Sequence, residues 1–134
     1  MFKDFKFHHI GVAVFSIEKT AKVYAAGGYT ASETVFDPIQ NVNICFLRKE
    51  NMPTVELLEP VDEQSPVVAT LKKNGVTPYH TCYEVENMDE ATATLRQNKF
   101  LPVGKRSSAV AFDGRNVQFF FHKDVGLIEI VEAI

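Results

Sequence analysis

Basic clusters are missing from this chain. Fourteen lysines and arginines stand against 17 acids, a formal charge of −3, and no positive stripe offers a footprint for nucleic acid. Long apolar runs are missing too. The longest are strand-sized, which excludes a membrane-spanning helix, and Met1-Phe2-Lys3-Asp4-Phe5-Lys6 lacks the apolar stretch of a signal peptide. Cysteine is scarce: Cys45 and Cys82 are not in a CxxC pair, so they read as reduced thiols of a cytoplasmic protein and not as a disulfide framework. What is present is an ordinary globular composition, 46% hydrophobic over 134 residues, enough for a single domain (1–134) with a real core.

The chain repeats itself. His8-His9-Ile10-Gly11-Val12-Ala13-Val14 returns as Tyr79-His80-Thr81-Cys82-Tyr83-Glu84-Val85, displaced by 71 residues. Val55-Glu56-Leu57-Leu58-Glu59 returns as Ile128-Glu129-Ile130-Val131-Glu132, displaced by 73, and Asn41–Phe46 is echoed by Asn116–Phe121. Each copy reads as strand, helix, then three strands. Ser16 caps a helix over Ile17–Ala26 with an apolar stripe of Ile17, Ala21, Tyr24 and Ala25, stopped by Gly27-Gly28. Asn87 caps its counterpart over Met88–Asn98, with Glu90 at the capping-box position. Strands are expected at Tyr29–Phe36, Val42–Arg48 and Thr54–Glu59, and again at Phe100–Val103, Ala109–Phe112, Asn116–His122 and Gly126–Val131. Module 1 spans about 8–59 and module 2 about 79–132. The linker, about 60–78, carries a short helix at Pro66–Asn74.

Each copy contains one His on its first strand and one Glu on its last, so a duplicated fold can bring His9, Glu56, His80 and Glu129 to one pseudo-twofold axis. Strand alternation supports the choice. With Ile10, Val12 and Val14 toward the helices, His9, Gly11 and Ala13 face the other way, and Gly11 and Ala13 are small, as a cleft floor requires. Glu56 opposes Val55 and Leu57, Glu129 opposes Ile128 and Ile130, and His80 shares a face with Cys82 and Glu84. Any one of the four, taken singly, is equally well a packed histidine or a solvated glutamate; their recurrence at matched offsets favours ligation. Two neutral imidazoles and two carboxylates balance a divalent charge and suit Ni²⁺, Co²⁺, Zn²⁺ or Mn²⁺. His8 reads as a packing or interface residue, His122 as a turn residue, and Cys82 as a small buried thiol.

The duplicated βαβββ module, with these segments in order from His8 to Glu132, resembles the vicinal oxygen chelate superfamily, in particular its glyoxalase I and methylmalonyl-CoA epimerase branch. The resemblance implies an α+β fold: two βαβββ modules of the glyoxalase/bleomycin-resistance type, forming a curved mixed sheet with helices on the convex side. It implies one divalent ion (Ni²⁺, Co²⁺ or Zn²⁺), a cytoplasmic homodimer, and a small-molecule substrate, either a thiol adduct or an acyl thioester. Glu129 becomes the first candidate for a catalytic base, and Glu56 its partner.

Two enzyme readings compete. Related epimerases usually carry Gln where Glu56 stands, and a further Glu where this chain has Ile39. The His/Glu/His/Glu set therefore favours a glyoxalase I-type lyase, isomerising the hemithioacetal of methylglyoxal through an enediolate. Ser65-Pro66-Val67-Val68 and Phe121-His122-Lys123-Asp124 lean instead toward an acyl-CoA epimerase. A ligand-sequestering protein of the bleomycin-resistance type would need no such quartet. Arg48, Lys105, Arg106 and Arg115 are available to anchor a substrate anion, with none preferred.

Overall fold

Period-two alternation at the start of the chain becomes strand β1 (Lys6–Ala13), in which His9, Gly11 and Ala13 are buried and Ile10 and Val12 half-buried. The computed structural model describes all 134 residues, Met1–Ile134. The chain divides into two units, His9–Tyr79 and Met1–His8 with His80–Ile134. None of its helices is long and apolar enough to cross a membrane.

In the His9–Tyr79 unit, β1 is followed by α1 (Ile17–Ala26), β2 (Thr30–Ala31), β3 (Val35–Asp37), β4 (Val42–Arg48), β5 (Thr54–Pro60) and α2 (Val67–Asn74). The strand order is β2-β4-β5-β1, with β3 also on β4. β1 runs parallel to β5 and β4 antiparallel to it, so the sheet is mixed. Ser16 Oγ accepts the Lys19 amide at 3.1 Å, the N-cap read from sequence. Glu59 Oε2 accepts the Ile17 amide at 2.9 Å and ties the start of α1 to the end of β5. Val14, Ile17, Cys45, Leu47, Val55 and Leu57 form the core under α1, with Val12, Ala21 and Tyr24 against it. Ala25, expected on the same stripe, is exposed.

The other unit contains most of β6 (Thr77–Val85), then α3 (Met88–Gln97), β7 (Leu101–Ser108), a 3₁₀ turn (Val110–Phe112), β8 (Asn116–His122) and β9 (Gly126–Glu132). Its order is β6-β9-β8-β7, again mixed: β6 is parallel to β9, and β8 antiparallel to both β9 and β7. Asn87 Oδ1 accepts the Glu90 amide at 3.0 Å. Asp89 and Glu90 in the first turn of α3 and Arg96 in the last complement its dipole. Val85, Met88, Ala91, Leu95, Phe100, Phe120, Ile128 and Ile130 form the core beneath it.

The α+β fold of two βαβββ modules is thus present, with two local corrections. The expected strand Tyr29–Phe36 is two short strands, and the pairing with β4 is irregular at Ser32, whose amide donates to the Phe46 carbonyl at 2.8 Å. Ser32 Oγ accepts the Phe46 amide at 2.8 Å, where a backbone carbonyl would otherwise pair. The expected strands Phe100–Val103 and Ala109–Phe112 are instead one strand, β7, and a 3₁₀ turn. β7 continues through an irregularity at Gly104, where φ is +73°, and the turn closes when the Ala109 amide reaches the Arg115 carbonyl at 3.0 Å.

Candidate metal centre

Glu56 sits opposite Gly11 on β1 and Phe46 on β4. Its neighbours Val55 and Leu57 belong to the core under α1, so its carboxylate lies on the face away from that helix. His9 is two residues before Gly11 and shares that face, its Nε2 3.3 Å from Glu56 Oε1. Both are buried, at 0% and 2% exposure. The edge of the His9 ring meets Phe46, with centroids 5.7 Å apart and planes at 73°.

The same construction recurs in the other unit. Glu129 sits opposite Cys82 on β6 and Phe119 on β8, while Ile128 and Ile130 pack under α3. His80 precedes Cys82 by two residues, with its Nε2 3.4 Å from Glu129 Oε1 and both residues again buried. Its ring lies edge-on to Phe119 at 5.1 Å and 90°. Both pairs thus occupy matched registers on matched faces. The Phe that backs each imidazole is a feature the sequence analysis did not single out, although Phe46 and Phe119 are displaced by 73 residues, as are the two glutamates.

The pair separations bear on metal ligation. A charge-assisted N–H···O⁻ bond closes to roughly 2.7–2.9 Å. Two ligands about 2.1 Å from one ion stand roughly 3.0 Å apart at a right angle and roughly 3.4 Å apart at the tetrahedral angle. The observed 3.3 and 3.4 Å match the ligand edge better than the hydrogen bond. Each unit therefore offers two donors, one imidazole nitrogen and one carboxylate oxygen, at the spacing of neighbouring ligands on one ion.

Other residues weighed from sequence fall outside these pairs. His8 is half-buried, its ring edge-on to Phe112 at 5.3 Å. His122 Nδ1 accepts the Asp124 amide at 3.0 Å, the turn role expected of it. Ile39 is 63% exposed. Asp37 nearby does not substitute for an acid there: its Oδ1 accepts the Ile39 and Gln40 amides, and its Oδ2 accepts Gln40 Nε2. Two cavities lie elsewhere, one of about 600 Å³ beside α1 and one of about 350 Å³ beside α3. Neither is lined by any of the four ligand candidates.

Residues 8–119 match the glyoxalase/bleomycin resistance protein/dioxygenase superfamily. The mitochondrial methylmalonyl-CoA epimerase of Mus musculus is 31% identical over 132 residues, covering 96% of this chain and 73% of that protein. An ethylmalonyl-CoA/methylmalonyl-CoA epimerase of Cereibacter sphaeroides is 29% identical over 134 residues, covering 96% and 98%. A variant of Streptomyces coelicolor methylmalonyl-CoA epimerase, solved with 2-nitronate-propionyl-CoA, superposes with a TM-score of 0.81 at 25% identity, covering 96% of each chain. These relatives are named as epimerases, which overturns the expectation of a glyoxalase I-type lyase acting on a methylglyoxal adduct. That expectation leaned on a carboxylate at position 56. An amide oxygen and a carboxylate oxygen can both bind a cation, so the residue type there separates the two activities poorly. The Ser65–Val68 and Phe121–Asp124 segments were the better guide. By the match across residues 8–119 and the relatives' near-complete coverage, the chain belongs to the glyoxalase/bleomycin resistance protein/dioxygenase superfamily.

Proposed function

We propose that this chain is an acyl-CoA epimerase of the methylmalonyl-CoA epimerase type, using one divalent ion held by His9, Glu56, His80 and Glu129. The observation that carries the reading is the His–Glu pair repeated in matched register, in a chain whose relatives bear the epimerase name. One pair supplies two donors, too few for an ion of this class; the two together supply four.

The chemistry follows from the substrate. A proton on the carbon beside a thioester carbonyl leaves as the carbonyl oxygen gains negative charge, and that charge must be offset for the step to be fast. A bound divalent ion supplies the offsetting charge as a Lewis acid. Glu129 takes the carbon-bound proton as general base. Glu56, its counterpart in the duplicated module, enters the step as a carboxylic acid and returns its proton to the opposite face, so that one carboxyl group gains a proton as the other loses one. Both are buried, at 2% exposure. Phe46 and Phe119 hold the imidazoles by ring contact.

The test is to incubate metal-loaded protein with one epimer of methylmalonyl-CoA in D₂O. Inversion together with deuterium uptake at the α-carbon is expected, and both should stop after chelation. Metal-loaded protein that neither inverts the centre nor exchanges its proton would overturn the reading.

A further inference from the structure

Arg48 is the last residue of β4 and lies on the face that holds the His9–Glu56 pair. Alternation places it with Phe46, whose cross-strand partner is Glu56, while Cys45 and Leu47 turn into the core under α1. Its guanidinium carbon sits 4.9 Å from the centre of the Phe46 ring, and that ring is 5.7 Å from His9. Together these separations place the Arg48 charge within roughly 11 Å of the His9 imidazole. That is the reach of a small acyl thioester.

The remaining arginines are engaged elsewhere. Arg106 pairs with Asp89 at 2.8 Å. Arg115 is spent on Glu84 and on the Glu132 and Phe112 carbonyls. Arg96 lies in the last turn of α3. Arg48 alone among the four combines a place on a His–Glu face with an exposed guanidinium that has neither an ion pair nor a hydrogen bond. A planar cation held by a ring and left with all its donors open is suited to bidentate capture of an oxyanion.

We infer that Arg48 is the anchor for an oxyanion carried by the thioester substrate, the carboxylate of a carboxyacyl group or a phosphate of the CoA carrier. This rests on the epimerase reading for the identity of the substrate, but its test does not depend on turnover alone. Steady-state kinetics of wild type, R48A, R48M and R48K are compared on methylmalonyl-CoA and on methylmalonyl-pantetheine, which lacks the phosphates. R48M keeps an apolar stem over Phe46 and controls for lost packing. Expected is a KM raised about 10- to 100-fold in R48A and R48M, with kcat within about threefold and partial recovery in R48K. A rise on both esters assigns the acyl carboxylate, and a rise on the CoA ester alone assigns a phosphate. Unchanged KM on both esters overturns the inference, as does a fall in kcat at constant KM, which would make Arg48 a support for His9. If wild type turns over neither ester, the epimerase reading has failed separately. Calorimetric binding of free CoA and of methylmalonate to the metal-loaded wild type and R48A then decides, weaker binding in R48A supporting the anchor and equal binding refuting it.

Discussion

Removal of divalent metal should cost this protein a readable part of its stability. Glu56 and Glu129 are each 2% exposed, His9 0% and His80 4%, so without a cation two carboxylates are held out of water, each beside an imidazole. Such burial costs several kcal/mol per ion unless the charge is compensated. An ion that binds only the native state, at about a hundred times its Kd, adds roughly 2.7 kcal/mol. Unfolding entropy of roughly 2.1 cal/mol/K per residue gives this chain about 0.28 kcal/mol/K, so the expected rise in Tm is about 10 °C. The assay is calorimetry on chelator-dialysed protein, titrated in turn with Ni²⁺, Co²⁺, Zn²⁺ and Mn²⁺. H80A and H9A should each reduce the rise to a few degrees at most. The rise should also shrink on acidification: protons compete with the cation for the same carboxylates and imidazoles, so less metal is bound as pH falls. A change below about 1 °C with every one of the four ions would refute the argument, because a native-state site filled to that degree cannot leave Tm untouched.

Two further perturbations separate chemistry from folding. Glu129→Gln keeps an oxygen able to ligate but cannot take up a proton, so turnover should fall about 10²- to 10⁴-fold while most of the metal-induced Tm rise is retained; turnover within a few-fold of wild type would remove Glu129 from the role of base. Phe120→Ala empties a fully buried position in the core under α3 and should cost about 3–5 kcal/mol in urea denaturation; a loss below about 1 kcal/mol would mean that this face of the sheet is not closed by the ring.

Much of the architecture was legible because it is written in local signals. Ser16 and Asn87 announce helix starts whose capping bonds the structure contains. The alternation around Glu56 and Glu129 assigns each to the face opposite the helix, and the core residues on either side agree. Where the reading failed, a non-local partner decided the outcome. Nothing in Tyr29–Phe36 reveals that the Ser32 hydroxyl will accept the amide of Phe46, 14 residues on, in place of the Ser32 carbonyl, and so make the pairing irregular. Nothing in Ala109–Phe112 favours a 3₁₀ turn over a strand until Arg115 reaches back to bond the Phe112 carbonyl at 3.3 Å and to cover the Phe112 ring.

The activity was harder to read than the fold for a related reason. The glutamates at 56 and 129 mark where a cation fits, and a cation beside a carbonyl oxygen assists any reaction that removes the neighbouring proton. A donor set therefore narrows the chemistry to a step, and the surrounding residues narrow the step to a substrate. In this chain the surroundings include an exposed Ile39 in place of an acid and an Asp37 whose two oxygens are fully committed to the turn. Neither can carry a proton to the far face of an α-carbon. On the epimerase function proposed above, both proton carriers are drawn from Glu56 and Glu129, and the carboxylate at 56 would then compensate for Ile39. On that logic Glu56→Gln should leave exchange of the α-proton on one face and abolish inversion, and retained inversion in that variant would require a proton carrier other than these two glutamates.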